Sequence, residues 1–314
     1  APNLAQFYSA GTQVANTRTD LAACRLNNTT CTGLSTLEVR AGNQNLKPEN
    51  ATTLSLGTVF QPRRNLTLTV DYWSLKEKGV IGIQGAQNQI LFDLLERQNG
   101  RTNANVVRLA PVGTQVVGDL SYVQDNYFNL GPRTLRGLDF ALNLDLRDTA
   151  LGRFNIDLGA SKLTKFLQDP SDLQAQLIAA NAAGKFGTGV SITQAGSQIQ
   201  VNGNPKWRMT GNVTWKSGPM SAGVLVTYVG SVFDTGTALI NGQNYKLASF
   251  TTVNTYVQYR AEKGDGVLSG TRFRIGARNL YDNKPPLAST NYGFLGSLHD
   301  AVGRFVYIEL SKDF

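Results

Sequence analysis

The chain has 314 residues, 41% of them hydrophobic and 17% charged, with a formal net charge of +8. No stretch approaches the roughly 18 apolar residues that mark a membrane-spanning helix. The basic residues are scattered, without a lysine-rich block or a basic helical stripe, which argues against a nucleic-acid partner. Thirty-two glycines against ten prolines, many Asn and Thr, and a mean hydropathy of −0.20 favour strands and turns. They leave room for a transmembrane β-barrel, whose alternating strands keep average hydropathy low.

The chain opens with "APNLAQFYSAG", which has no basic start, apolar core or cleavage pattern of a signal peptide. It does not begin with Met, so it reads as a mature start or as a piece of something longer. Residues 1–50 read as one long outer segment. Within it lie Cys24 and Cys31, separated by six mostly polar residues in "CRLNNTTC". With His299 the single histidine, no zinc set can be completed. The pair reads as a short-loop disulfide of an oxidising compartment; two free thiols are the other reading.

From there the hydrophobic pattern takes period two, the mark of a half-buried strand. "GLDFALNLDLR" sets Leu138, Phe140, Leu142, Leu144 and Leu146 against Gly137, Asp139, Ala141, Asn143, Asp145 and Arg147. "LGRFNIDLGAS" and "GRFVYIELSKDF" repeat the device. Strands are expected at 51–61, 64–78, 133–147, 151–166, 205–216, 219–233, 248–262, 270–281 and 302–314. Many exceed the about 5–6 residues of a soluble strand and reach the length that crosses a bilayer at a tilt. Short connections ("QPRRN", "RDTALGR", "KSGP", "AEKGDGVLSG") alternate with long ones, as in outer-membrane barrels. Inside the long ones, "NQILFDLLERQ" and "SDLQAQLIAANAA", the latter led by Ser171 or Asp172, read as loop-packing helices. An antiparallel bacterial barrel closes on an even strand number. Nine strands therefore predict two free edges, 51–61 and 302–314, and an incomplete wall.

In this order the chain resembles the C-terminal portion of a TonB-dependent outer-membrane receptor. "APNLAQFY" is similar to that family's "RAPxLxELY" segment and "GNQNLKPENATTLSLGTVFQP" to its "GNPxLKPExS" stretch. "YFNLGPRTLRGLDFALN" places Asn129, Gly131, Gly137 and Asp139 as the family does. "RIGARNLYDNKPP" is similar to the penultimate-strand "NLFDxxPP" motif, and "GRFVYIELSKDF" resembles the closing strand. The resemblance implies an all-β fold: an antiparallel meander barrel fragment, roughly the last nine of 22 strands, with residues 1–50 an extracellular loop and 51–314 a single barrel wall. It implies uptake of a scarce ligand such as a siderophore, cobalamin or a saccharide. The partners implied are an upstream plug domain, a TonB-type energy coupler, the barrel assembly machinery and outer-membrane lipid. The implied location is the bacterial outer membrane, with loops extracellular and the C-terminus periplasmic. Phe314 would be the terminal aromatic read during insertion.

No hydrolase elbow, P-loop or metal-ligand cluster is found, so neither an enzyme nor a cofactor is expected. Arg136, Arg153, Arg208, Arg272, Arg274 and Arg278 read as inward-facing. They are candidates to meet a plug or an anionic ligand, or to pair across strands with Asp139, Asp145, Asp157 and Glu309. Trp207, Trp215, Tyr228 and Tyr259 read as lipid-facing girdle residues, and His299 as an exposed loop histidine. Gly137 is expected to relieve crowding and Pro285-Pro286 to end strand 270–281. A porin or surface barrel without energy coupling, and a secreted β-solenoid or sandwich, are the competing readings.

Overall fold

The computed structural model describes residues 1–187, 190, 192–201, 203–238, 244–261, 266–290 and 292–312. They group into two units: residues 1–52, 75–134 and 167–197, and residues 53–74, 135–166 and 198–314.

The second unit is built on a nine-strand antiparallel meander. Its strands are β1 (Asn50–Arg63), β2 (Leu66–Lys78), β3 (Arg133–Thr149), β4 (Gly152–Gln168), β5 (Trp207–Ser217), β6 (Met220–Val229), β7 (Phe250–Arg260), β8 (Thr271–Arg278) and β9 (Phe305–Lys312). Each pairs with its sequence neighbours in that order, and β1 and β9 end the path. Register runs without a shift from β4 to β5, β6 to β7 and β8 to β9: Lys162 lies opposite Trp207, Met220 opposite Tyr259, and Thr271 opposite Lys312. One tight turn has the chemistry a two-residue hairpin needs. Between β5 and β6, Gly218 takes φ 52° and is followed by Pro219, whose ring locks φ near −65°. Those signs fit the two central positions of a II′ turn.

Packing inverts the usual sense of a sheet. The apolar face is the open one: Ile275 is 44% exposed, Ile308 68% and Leu310 71%. A water-soluble sheet would bury that face; here it is turned outward along strand after strand, as on a membrane barrel. Trp207 and Trp215 bracket β5 on this face, eight residues or about 26 Å apart along an extended strand. Tyr228 shares the face at the Trp207 end, and Tyr259 at the Trp215 end.

Two expected strands end early. β8 stops at Arg278, well before Pro285-Pro286. Asn279 breaks it by taking φ 46°, while its side-chain amide donates to the Asn283 carbonyl (2.9 Å) and accepts from the Asn283 N–H (3.0 Å). The expected strand 219–233 divides at Val229, and Val232–Ala238 pairs instead with Asn244–Leu247.

The first unit has a true hydrophobic core. Four helices belong to it: α1 (Leu4–Tyr8), α2 (Leu21–Leu26), α3 (Ala86–Gln98) and α4 (Asp172–Ala182). Leu21, Ala22 and Cys24 of α2 pack with Leu91, Leu94 and Leu95 of α3, Leu177 and Ala180 of α4, and Phe186. Beside them a four-stranded sheet runs in the order Thr12–Thr19, Gly33–Arg40, Leu120–Gln124, Val106–Arg108. The start of α4 is a capping box: Gln174 N–H donates to Ser171 Oγ (3.3 Å), and Ser171 N–H donates to Gln174 Oε1 (2.9 Å).

Candidate functional site

The polar face of the meander gathers the charged side chains. At one end of β3 and β4, Asp145 accepts from Arg147 Nε (2.7 Å) and Arg153 Nε (3.3 Å). Further along, Asn143 bonds Asp157, and Ser161 Oγ donates to Asp139 (2.5 Å). Across β7 to β9 a second cluster forms. Arg272 reaches Glu309 (3.3 Å) and donates to Ser311 Oγ (2.9 Å). Arg274 donates twice to Gln258 Oε1 (3.0 and 2.7 Å) and stacks its guanidinium 4.5 Å over the Tyr256 ring. Tyr256 lies flat because Gly223 faces it: a Cβ there would fall on the ring. Gly137 does the same for Trp73, which is the physical content of its expected relief of crowding.

These bonds sort the arginines. Arg153, Arg272 and Arg274 brace neighbouring strands. Arg208 and Arg278 share the polar face, because their strand neighbours Trp207 and Ala277 lie on the other one. Both are exposed and make no side-chain bond with the described residues. Each lies at the long-connection end of its strand: Arg208 follows 169–206, and Arg278 precedes 279–304. Arg136 departs from the expectation. Phe140 stacks on Trp207 with ring centroids 6.5 Å apart, so the even-numbered residues of β3 occupy the apolar face. Strict alternation places Arg136 there with Leu138 and Phe140, not inward with Gly137 and Asp139.

In the first unit, buried charge holds the segments together. Glu38, fully buried, takes Arg18 (2.7 Å) and Arg40 (3.2 Å). Arg108 joins Asp20 (2.6 Å) to Asp93 (3.0 Å), and Asp93 also takes Arg97 (2.9 Å). Asp125 accepts from the Gly85 N–H with both carboxylate oxygens (3.0 and 3.1 Å). Burial pushes its carboxyl up to about 6, against the pull of that bond and of nearby Arg40. Cys24 and Cys31 are joined as a disulfide with Cα atoms 5.2 Å apart. Asn129 ties three segments, donating to the Lys47 and Gly79 carbonyls (2.8 Å each) and accepting from Lys47 N–H (2.8 Å).

His299 is not the exposed loop residue the sequence suggested. It is 4% exposed, lies edge-on to Phe250 at 5.3 Å, and neither ring nitrogen has a hydrogen-bond partner among the described residues. Desolvation lowers its pKa below the ordinary histidine value. Phe314 lies outside the described residues. No group of three or more His, Cys, Asp and Glu that could hold a metal occurs among the described residues.

A family model described as "TonB dependent receptor-like, beta-barrel" matches residues 1–280. The fold is shared with solved receptors. The ferric enterobactin receptor PfeA of Pseudomonas aeruginosa, in a mutant form complexed with enterobactin, superposes with a TM-score of 0.59 at 15% identity. The siderophore receptor PirA of Acinetobacter baumannii gives 0.58 at 14%. Each comparison covers 100% of this chain and 37% of the other, so the chain spans little more than a third of those receptors. No curated protein matches. With the family model over most of its length and an apolar-out antiparallel meander as its wall, the chain belongs to the TonB-dependent receptors, as part of their β-barrel.

Proposed function

We propose that this chain is the C-terminal wall of an outer-membrane transporter that imports a scarce anionic ligand, an iron–siderophore chelate being the best candidate among siderophores, cobalamin and saccharides. The observation that carries the reading is the pair Arg208 and Arg278, exposed and without a side-chain bond among the described residues, on the polar face where the long connections begin and end. Cations left without carboxylates at the mouth of a polar channel attract an incoming anion and raise its local concentration. Their braced neighbours Arg153, Arg272 and Arg274 serve the wall instead. The first unit, residues 1–52 with 75–134 and 167–197, is assigned to the extracellular side, and the tight turns and the C-terminus to the periplasmic side. The likeness to siderophore receptors supports the ligand class. A plug and a TonB-type coupler complete the machine, and Phe314 is the residue that the assembly machinery reads. The wall performs no covalent chemistry.

The test is made on the whole receptor containing this chain. Cells carrying it should accumulate radio-iron from a ferric siderophore only when the energy coupler is present. R208Q/R278Q should weaken binding of the chelate roughly tenfold, on the order of 1 kcal/mol or less from each exposed cation, whereas R272Q should leave binding unchanged. Accumulation that persists without the coupler would make this a passive pore. Unchanged binding in the double variant would remove the two arginines from the ligand path.

A further inference from the structure

Two cations and an apolar hollow lie together on the lipid-facing side of the wall. Ser161 bonded to Asp139 sets those residues opposite one another, so Arg136 falls opposite Thr164, whose hydroxyl donates to the Arg136 carbonyl (3.1 Å). Lys162 is then the diagonal neighbour of Arg136, a Cα separation of roughly 7–8 Å. The Lys162 ammonium sits 5.0 Å over the ring of Trp207, and Trp207 stacks on Phe140. Neither cation has an ion pair among the described residues, and the Arg136 Nε is shielded from water without a hydrogen-bond partner. On this face of β3 the next charged residue is Asp148, at the far, tight-turn end; on β4 Lys162 stands alone. Directly beyond Phe140 the face is hollowed by about 800 Å³, lined by Phe140, Leu142, Leu158, Met209, Val224 and Tyr228.

A cation on a hydrocarbon-facing surface is costly unless it reaches the headgroup layer or finds an anion. Arg136 and Lys162 stand at the long-connection end of the wall, level with the girdle residue Trp207, where lipid headgroups lie. Beside them the apolar hollow spreads across neighbouring strands, from Leu68 of β2 to Thr251 of β7. A positive pair above a greasy groove is complementary to one kind of molecule: an amphiphile with a phosphate at its head and an acyl chain.

We propose that the outer face of β3, β4 and β5 is a specific seat for a phosphate-bearing lipid, its phosphate held by Arg136 and Lys162, its acyl chain in the hollow walled by Phe140, Leu158 and Met209. The side of the membrane this lipid comes from rests on the orientation argued for the transporter; the seat itself rests on the wall's apolar face alone.

The test is native mass spectrometry of the whole receptor released from detergent with diphosphoryl lipid A, phosphatidylglycerol or phosphatidylcholine. Both phosphate monoester and anionic diester lipids should be retained on the wild type, and phosphatidylcholine much less. R136Q/K162Q should lose the anionic lipids by roughly tenfold or more, from two basic contacts near the surface. A160W, which fills the hollow from a residue of its lining, should lose lipid while keeping both cations. Equal retention by wild type and R136Q/K162Q overturns the proposal. Displacement of lipid A by inorganic phosphate alone also overturns it, since the groove would then contribute nothing. Siderophore uptake is read in parallel. None of these residues faces the polar side, so uptake by the variants should be unchanged, and a failure of uptake in the wild type would count against the transporter and leave the lipid seat standing.

Discussion

At the scale of single residues, two buried titratable groups give the two units opposite responses to acid. The Asp125 carboxyl titrates at about 6 in the fold against 3.8 as its ordinary value. Its folded form therefore resists ionisation, and the resulting destabilisation, about 3 kcal/mol at neutral pH, is relieved as pH falls through 6 toward 4. His299 is the reverse. Its folded pKa lies below 6.5, so the stability it supports is complete above 6.5 and is lost as pH falls through that value to the folded one. Hydrogen exchange should show the segments around Asp125 and Gly85 better protected at pH 5 than at pH 7.5. Protection around His299 and Phe250 should fall over the same interval. D125N should flatten the first trend and H299Q the second; a trend that survives its substitution assigns it to other groups. Neither residue's burial was legible in the sequence. A lone Asp in "YVQDNYF" and a lone His in "GSLHDAV" look like ordinary polar loop positions, and only packing by segments distant in the chain removes their water. Arg136 is a different case. Its parity with Leu138 was available from the sequence, and the alternation, applied strictly, is enough to turn it outward.

At the scale of elements, strands and helices were legible for different reasons. β2, β3 and β4 carry uninterrupted period-two patterns between tight turns, so their bounds fall within a few residues of expectation. β8 was drawn too long because proline is a conspicuous breaker, whereas Asn279 stops the strand quietly, by a left-handed turn satisfied through its own side chain. The helices α3 and α4 announced themselves by apolar spacing and by Ser171. What they pack against did not, since contacts between residues 21–26, 86–98 and 172–182 carry no local signature. Arg108 holds that arrangement by bridging two buried carboxylates from separate segments. R108A should cost about 3–5 kcal/mol in this unit, because Asp20 and Asp93 lose a shared partner. L177A should cost about 2–5 kcal/mol for the cavity it leaves. Urea titration followed by helical circular dichroism reads both; a loss below 1 kcal/mol for either would mean that the unit relaxes around the gap.

At the scale of the whole molecule, the exposed apolar face requires hydrocarbon around it. Of the three tryptophans, Trp207 and Trp215 stand on that face, while Trp73 lies on the other, over Gly137. In bilayers containing brominated acyl chains, W207F and W215F should each remove part of the fluorescence quenching and W73F almost none. Quenching carried mainly by Trp73 would invert the faces. The two ends of the strand path, β1 and β9, need partners for their backbone donors and acceptors, because a bilayer supplies no water to satisfy them.

Strand length, alternation and the sorting of short and long connections could all be read along the chain, and with them the class of the wall, because each is a pattern in consecutive residues. The family followed from the order of its landmarks. Which arginines are braced and which make no side-chain bond among the described residues, the burial of His299, and the cored unit with charges inside it that the long connections build all emerged in three dimensions. Those outcomes depend on which distant segments meet, and a side chain's water, partner and protonation state are set by that meeting rather than by its neighbours in sequence.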